Sequence, residues 1–253
     1  VTFVRFSHDD NLDGVFPSPV PAIKKAPDFY KAIRPQTNSR PDSGTVKRCV
    51  PFLDALSAGF IIPLWADCYV VAHDNNIQFT FPRNLPMPSS IQQHDYVQFA
   101  GHPLAERPYG KFCMKFMNPW VIETAPGYSC LFTSPLNHLE TRIKILDGAV
   151  DTDTYHTNVN FPFLWTGGDG EFFIPKGTPL VQVIPYKRET FTLEVGTTDT
   201  NRRKNVADRL GTYLKDAYRK EFSASAKMPN DDADTDTAPD TDPAHPTIPT
   251  PAE

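Results

Sequence analysis

Between Gly148 and Phe163 the chain reads GAVDTDTYHTNVNFPF, which places two carboxylates, Asp151 and Asp153, two residues apart and follows them with Tyr155 and His156. Aspartates at that spacing have two uses. On an extended strand both side chains face one way, roughly 6.5–7 Å apart along the strand, a gap that could hold a water or a divalent cation. In that setting a carboxylate can act as general base toward an attacking water. In a turn, each aspartate instead accepts hydrogen bonds from amides further along the chain, and D-T-D is a common turn sequence. Spacing alone leaves both readings open.

Histidines are the next candidates. His94, His102, His138 and His156 all fall in or near loops of a β-rich region. Two of them with Asp151 or Asp153 would make the two-His, one-carboxylate donor set of non-haem iron sites, the signature of a metal-dependent oxygenase-like β-barrel. The ordinary alternative is scattered, hydrogen-bonded surface histidine. Trp65, Trp120, Trp165 and the phenylalanines of FPFLW could line an apolar pocket or simply form the core. There is no P-loop, nucleophile elbow, HExxH or dinucleotide-binding fingerprint.

The elements that must position these residues are mostly strands. VPFLDALSAGF reads as a helical turn from Phe52 to Ala58 stopped by Gly59. A strand from Phe60 to Ala72 follows, with Pro63 confining it to an edge or a bulge. HDNN, His73–Asn76, is a polar turn that returns the chain as IQFTF, a hairpin. Further strands are expected over Lys111–Phe116, Trp120–Thr124, Tyr128–Thr133 and Arg142–Leu146. FPFLW-TGGDG-EFFIP reads as a second hairpin around Gly167, Gly168 and Gly170. Strand signals every eight to twelve residues indicate a mainly β sandwich or barrel.

Four segments follow from composition. Residues 1–45 carry Pro17, Pro19, Pro21, Pro27 and Pro35 and are expected to run as an extended arm across the domain or across a neighbouring subunit. Residues 46–190 form the β core. Residues 191–223 hold a linker and an amphipathic helix, with Val206, Leu210, Tyr213 and Leu214 at helical spacing and Asp199 or Thr200 as its cap. Residues 224–253 are an acidic, disorder-prone tail.

Charge narrows the partners. The chain carries a formal −5, but the tail alone has six Asp, one Glu and one Lys, so the remainder is close to +1. Such a balance gives no strong nucleic-acid signal. The basic face of the terminal helix is broken by Asp208, Asp216 and Glu221. The four cysteines, Cys49, Cys68, Cys113 and Cys130, form no CxxC pair and read as buried, reduced residues. No apolar run approaches about 18 residues, so no membrane span is expected, and the first residues do not resemble a secretory leader.

Two stretches about 30 residues apart carry a resemblance. LDGAVDTDTY and IPKGTPLVQVIP together resemble the dUTP pyrophosphatase and dCTP deaminase superfamily, whose fold is a compact β-clip. Gly148, Ala149, Val150 and Asp151 match its first motif, with Tyr155 one position late. Lys176, Gly177, Leu180, Val181 and Gln182 match its second. PGYSCLFTSPL stands where the family has its phosphate-contacting turn, with Thr133-Ser134-Pro135 in place of the Arg and Gly, and Pro179 stands in place of the second motif's Arg. The resemblance implies that Asp151 orients or deprotonates water, with Asp153 beside it. It implies that Tyr155 packs under a deoxyribose, with His156 adjacent. Ser134 would approach a phosphate, Gln182 would support that turn, and Mg²⁺ would serve as cofactor if the protein hydrolyses a nucleotide.

Over most of its length, up to about Thr190, the chain also looks like a family of uncharacterised proteins of tailed phages and some bacteria. A homo-oligomer, a trimer among the options, is expected, in the cytoplasm of an infected host cell or on a virion. Three functions stay open: a β-clip protein that binds, and could hydrolyse, a nucleotide or other small polar ligand; a non-enzymatic phage structural or accessory interaction protein; and the oxygenase-like barrel.

Overall fold

A computed structural model of the chain describes residues 2–9, 12–37, 40–110 and 113–212. The fold is mainly β, built from antiparallel ladders. The largest sheet has the order β13 (Gly148–Val150), β11 (Tyr128–Thr133), β16 (Pro179–Lys187), β5 (Phe60–Pro63) and β2 (Val20–Pro21). A second orders β12 (Ile143–Ile145), β14 (Phe161–Trp165), β9 (Met114–Phe116) and β8 (Ile91–Gln93). A third orders β15 (Gly170–Ile174), β6 (Cys68–His73) and β7 (Asn76–Thr80). Two short pairs complete the set: β1 (Val4–Ser7) on β10 (Val121–Thr124), and β3 (Gln36–Thr37) on β4 (Arg40–Gly44). Among the described residues these ladders do not close into a barrel.

Alternation explains which face each strand buries. In β6 the residues Cys68, Val70 and Ala72 are buried while Tyr69, Val71 and His73 are exposed. The sequence predicts a hairpin with its turn over His73–Asn76, and the β6–β7 connection is that hairpin with a tighter, two-residue turn: His73 pairs with Asn76, and Asp74 and Asn75 both have positive φ, 48° and 59°. That is the turn whose twist matches antiparallel strands, and Asn and Asp tolerate it best after glycine.

The predicted strand from Phe60 to Ala72 is two strands. β5 pairs with β16, and after residues 64–67 β6 joins a different sheet. Pro63 sits opposite Pro179 beside a register shift at Pro179/Val181, so the proline marks an irregularity inside the sheet. FPFLW and EFFIP do not form a hairpin either. β14 is flanked by β12 and β9, leaving no free edge, and the glycine turn hands the chain to β15, which pairs with β6 in the third sheet.

The core lies between these layers. Phe116 stacks on Phe163 at 4.2 Å between ring centroids, and Trp65 meets Phe116 edge-on at 5.8 Å. Burying each such side chain contributes about 2–3 kcal/mol. All three tryptophans belong to this core. The first 45 residues also reach it: β1 pairs with β10, Leu12 and Phe16 join the main cluster, and Tyr30 packs with Leu56 in a second one. Cys68, Cys113 and Cys130 are buried, whereas Cys49 is exposed.

Three α-helices are present among the described residues. α1 (Asp28–Ala32) carries the buried Tyr30, and α2 (Val50–Ser57) enters with a proline in its first turn, where the missing amide costs nothing. Gly59 follows α2 at φ +65°, and a Cβ there would stand 2.0 Å from the Val183 carbonyl oxygen. Only glycine fits both constraints. α3 (Thr200–Thr212) is capped by Asp199, whose Oδ1 accepts from the Asn201 and Arg202 amides. The rest of the predicted helix and the acidic tail lie outside the described residues. Among the described residues no helix is long and apolar enough to cross a membrane.

Candidate functional site

After β13 the chain turns sharply. The amides of Thr154 and Tyr155 both donate to the Asp151 carbonyl, at 3.0 and 2.9 Å, and the Thr154 hydroxyl adds a third bond at 3.2 Å. Asp151 and Asp153 therefore do not share one face of a strand. They stand at two positions of a turn, and the turn gives them different surroundings.

Thr152, fully buried between them, anchors the turn from inside. Its hydroxyl lies 2.8 Å from that of Thr124 and reaches the Cys130 sulfur at 3.4 Å. With that residue pointing in, Asp153 is drawn against the Ala125–Gly127 turn. Its side chain is only 6% exposed, and its Oδ2 accepts the Gly127 amide at 2.8 Å. The countercharge is Arg188, one residue past β16. Its Nη1 donates to Asp153 Oδ1 at 2.8 Å and its Nη2 to Oδ2 at 2.5 Å, the paired geometry guanidinium and carboxylate favour. Arg188 and the Gly127 amide hold the Asp153 carboxyl down at about 2. Asp153 is thus charged and fully engaged.

Asp151 is the opposite case. Its side chain is 64% exposed. Oδ1 accepts the Ser129 hydroxyl at 2.6 Å and stands 3.2 Å from Arg188 Nη1. Ser129 itself accepts from Arg188 at 3.0 Å, so one guanidinium and one hydroxyl fix a single oxygen of Asp151. No partner for the other oxygen is recorded among the described residues. Tyr155, 46% exposed, and His156 follow on the outer side, with His156 Nδ1 3.5 Å from Glu123 Oε1.

The other two candidates face inward. Ser134 Oγ accepts the Ile145 amide at 3.0 Å. Gln182 is 1% exposed, and every polar atom of its amide group is used: Oε1 accepts the Leu136 amide at 2.8 Å, and Nε2 donates to the Ala55 and Ala58 carbonyls at 3.0 and 2.7 Å. It satisfies carbonyls that the end of α2 leaves open. The structure thus brings Asp151, Asp153, Tyr155 and His156 to one turn, and places Ser134 and Gln182 in backbone-bracing roles.

The histidines do not assemble around this turn. Among the described residues the one group able to offer three metal-ligand atoms is His73, Asp74 and Asp169, all exposed and on other elements. His94 bonds Gln98 at 2.9 Å, and burial lowers the basicity of His138. Nor do the two aspartates form a cation cage: Asp153 is saturated, and a guanidinium stands 3.2 Å from Asp151. Held magnesium favours oxygen ligands free of such a neighbour, so these residues do not fit a protein-bound Mg²⁺.

Arg188 is the residue that sequence reasoning misses. Its signal was register. Lys187 lies opposite Tyr128 in the β11–β16 ladder, so the next residue falls beside Gly127 and the 151–153 turn.

No protein-family model and no curated protein matches the chain. Solved structures that it is similar to include phage dUTPases. A mutant of the dUTPase from phage phi11 of S. aureus is 13% identical, with 79% of this chain and 97% of that one covered at a TM-score of 0.31. A Staphylococcus bacteriophage 80alpha dUTPase mutant with dUpNHpp is 10% identical, with coverage of 78% and 90% and a TM-score of 0.34. The functional reading rests on the side chains themselves.

Proposed function

We propose that the chain binds a nucleotide or another small polar ligand on the outer side of the 151–156 turn, with Asp151 as the carboxylate that meets it. The observation that carries this reading is the division between the two aspartates. Asp153 is consumed in holding the turn, while Asp151 has one oxygen fixed by Ser129 and Arg188 and its side chain open to solvent. A carboxylate held from one side is pre-oriented to accept a bond from a ligand hydroxyl or from water. Tyr155 offers an aromatic surface beside it for a sugar or ring. If water is activated here, Asp151 is its base, and any Mg²⁺ arrives on the ligand's own phosphates. Such a binder fits the cytoplasm of an infected host cell or a virion.

The test is a thermal-shift and calorimetric screen of deoxynucleoside mono-, di- and triphosphates with and without Mg²⁺, on wild type and Asp151→Asn. A nucleotide that raises Tm in wild type and not in the variant supports the reading. A flat screen overturns the nucleotide reading.

A second reading, an oligomeric interaction protein without catalysis, has its own observation. Beyond β16, Phe191, Leu193 and Val195 alternate with polar residues and are 85%, 88% and 90% exposed. Period-two apolar residues are the pattern of a half-buried strand. Another copy of the chain could cover them, giving a homo-oligomer with a trimer among the options. Light scattering of Leu193→Glu beside wild type separates the two: an unchanged monomer in both removes this reading.

A further inference from the structure

A cleft of about 640 Å³, lined by none of the residues of the 151–156 turn, lies between the 107–110 turn and the end of β14. Its size falls in the range of small-molecule sites, and its lining is predominantly apolar. Leu164 and Trp165 form part of the wall, and the Trp165 ring is fixed there because its Nε1 donates to the Gly168 carbonyl at 2.9 Å.

The opposite wall is built under strain. Tyr109 is buried yet holds φ +62°, a region that bulky side chains rarely adopt. What compensates is its hydroxyl, which donates to the Asp169 carboxylate across the cleft mouth. That bond keeps the phenol protonated, its pKa pushed up to about 12, with burial adding to the effect. Strained residues locked by a specific partner cluster where a surface serves a ligand.

The charges around the cleft are uneven. Asp169, its one lining carboxylate, is occupied by Tyr109 and lies 3.6 Å from His73 Nδ1. Asp74 is turned to the other nitrogen of His73, at 3.1 Å. Among the described residues, two cations line the cleft. Lys144 shares its charge with Asp147 at 3.5 Å, and Arg107 is exposed with no ion-pair partner among the described residues.

We infer that this cleft binds a small aromatic acid, its ring against Trp165 and Leu164 and its anionic group toward Arg107 and Lys144. An apolar wall supplies affinity, and a guanidinium with an ammonium at the rim selects an anion over its neutral counterpart. The site uses none of the residues of the 151–156 turn, so it stands or falls separately from the nucleotide reading.

The probe is 8-anilinonaphthalene-1-sulfonate, followed in the ¹⁵N–¹H spectrum of the full chain, where the indole signals of Trp65, Trp120 and Trp165 are separate reporters. The Trp165 signal is expected to shift saturably while the other two stay in place. Arg107→Glu with Lys144→Glu, both exposed and therefore compatible with folding, is expected to weaken binding at least tenfold. The neutral N-phenyl-1-naphthylamine is expected to bind more weakly than the sulfonate in wild type and equally in the charge-reversed protein. Tyr109→Phe, which releases the Asp169 charge into the cleft, is expected to weaken the sulfonate as well. Dye fluorescence that rises while the Trp165 signal stays put means binding elsewhere and overturns the inference. So does a Trp165 shift that is indifferent to charge reversal.

Discussion

Arg188 grips Asp153 with both ends of its guanidinium, at 2.8 and 2.5 Å, and does so across 35 residues of sequence. The pair ties the end of β16 to the turn after β13, and the Arg188 amide adds a bond to the Gly127 carbonyl at 2.9 Å. The same guanidinium stands 3.2 Å from Asp151 Oδ1, so the clamp helps to position Asp151 together with the Ser129 hydroxyl.

Replacing Arg188 therefore removes more than a surface charge. Arg188→Met leaves Asp153 shielded from water without its countercharge, the arrangement that makes one-sided loss of an ion pair expensive. Tm is expected to fall by roughly 5 °C or more in a protein of this size. Asp151→Asn keeps the clamp, and its Tm is expected to stay within about 2 °C of wild type. Thermal melts of the two side by side decide this, and equal losses would contradict the division of labour between the aspartates.

The same clamp sets an acid limit. The Asp153 carboxyl is lowered from 3.8 to about 2 on folding, chiefly by Arg188 and then by the Gly127 amide. A depressed carboxyl contributes stability that is complete above its unfolded value and is lost as pH falls through the folded one. The window is thus from about 4 down to about 2. Urea midpoints measured across it should drop steeply in wild type and less steeply in Asp153→Asn. Parallel profiles would show that Asp153 titrates alike in both states.

Two glycines with the same backbone angle separate strain from crowding. Gly14 and Gly59 have φ of +67° and +65°, but a Cβ at Gly14 meets nothing within 4 Å, whereas one at Gly59 meets the Val183 carbonyl. Gly14→Ala should cost about 1 kcal/mol, the left-handed penalty alone. Gly59→Ala must also push α2 away from β16, and a loss above about 4 kcal/mol is expected. Denaturant titration of both variants gives the comparison, and similar losses would mean the α2 junction yields.

Local chemistry was legible in the sequence, and long-range partnership was not. Asp74 and Asn75 announce their hairpin because the turn is decided by the two residues in it. FPFLW and EFFIP looked equally like a hairpin, yet β14 already has a neighbour on each side. A glycine-rich link reads the same whether it joins partners or carries the chain to another sheet. The GAVD turn could be found from residue types, and its split into a bracing and an outward aspartate could not. That split depends on the β11–β16 register, which decides where Arg188 falls. Gln182 shows the same limit from the other side: a polar residue in an apolar strand signals a role without saying whether it faces a ligand or the backbone.

Gln182 can be assigned by experiment. Its amide group serves the Leu136 amide and the Ala55 and Ala58 carbonyls, all at 3.0 Å or less, and it is almost wholly buried. Gln182→Leu keeps the volume close to constant but leaves these backbone groups without a partner, at about 1–3 kcal/mol for each that water cannot reach. A loss of roughly 3 kcal/mol is therefore expected in urea denaturation. Gln182→Glu can still accept from Leu136 but sets a carboxylate against two carbonyls, so it should be worse at neutral pH and recover in part toward pH 5, where protonation restores one donor. Affinity for any ligand of the 151–156 turn should change little in whichever variant remains folded. A bracing role requires that stability move and binding stay. The reverse pattern, intact stability with lost binding, would return Gln182 to the ligand.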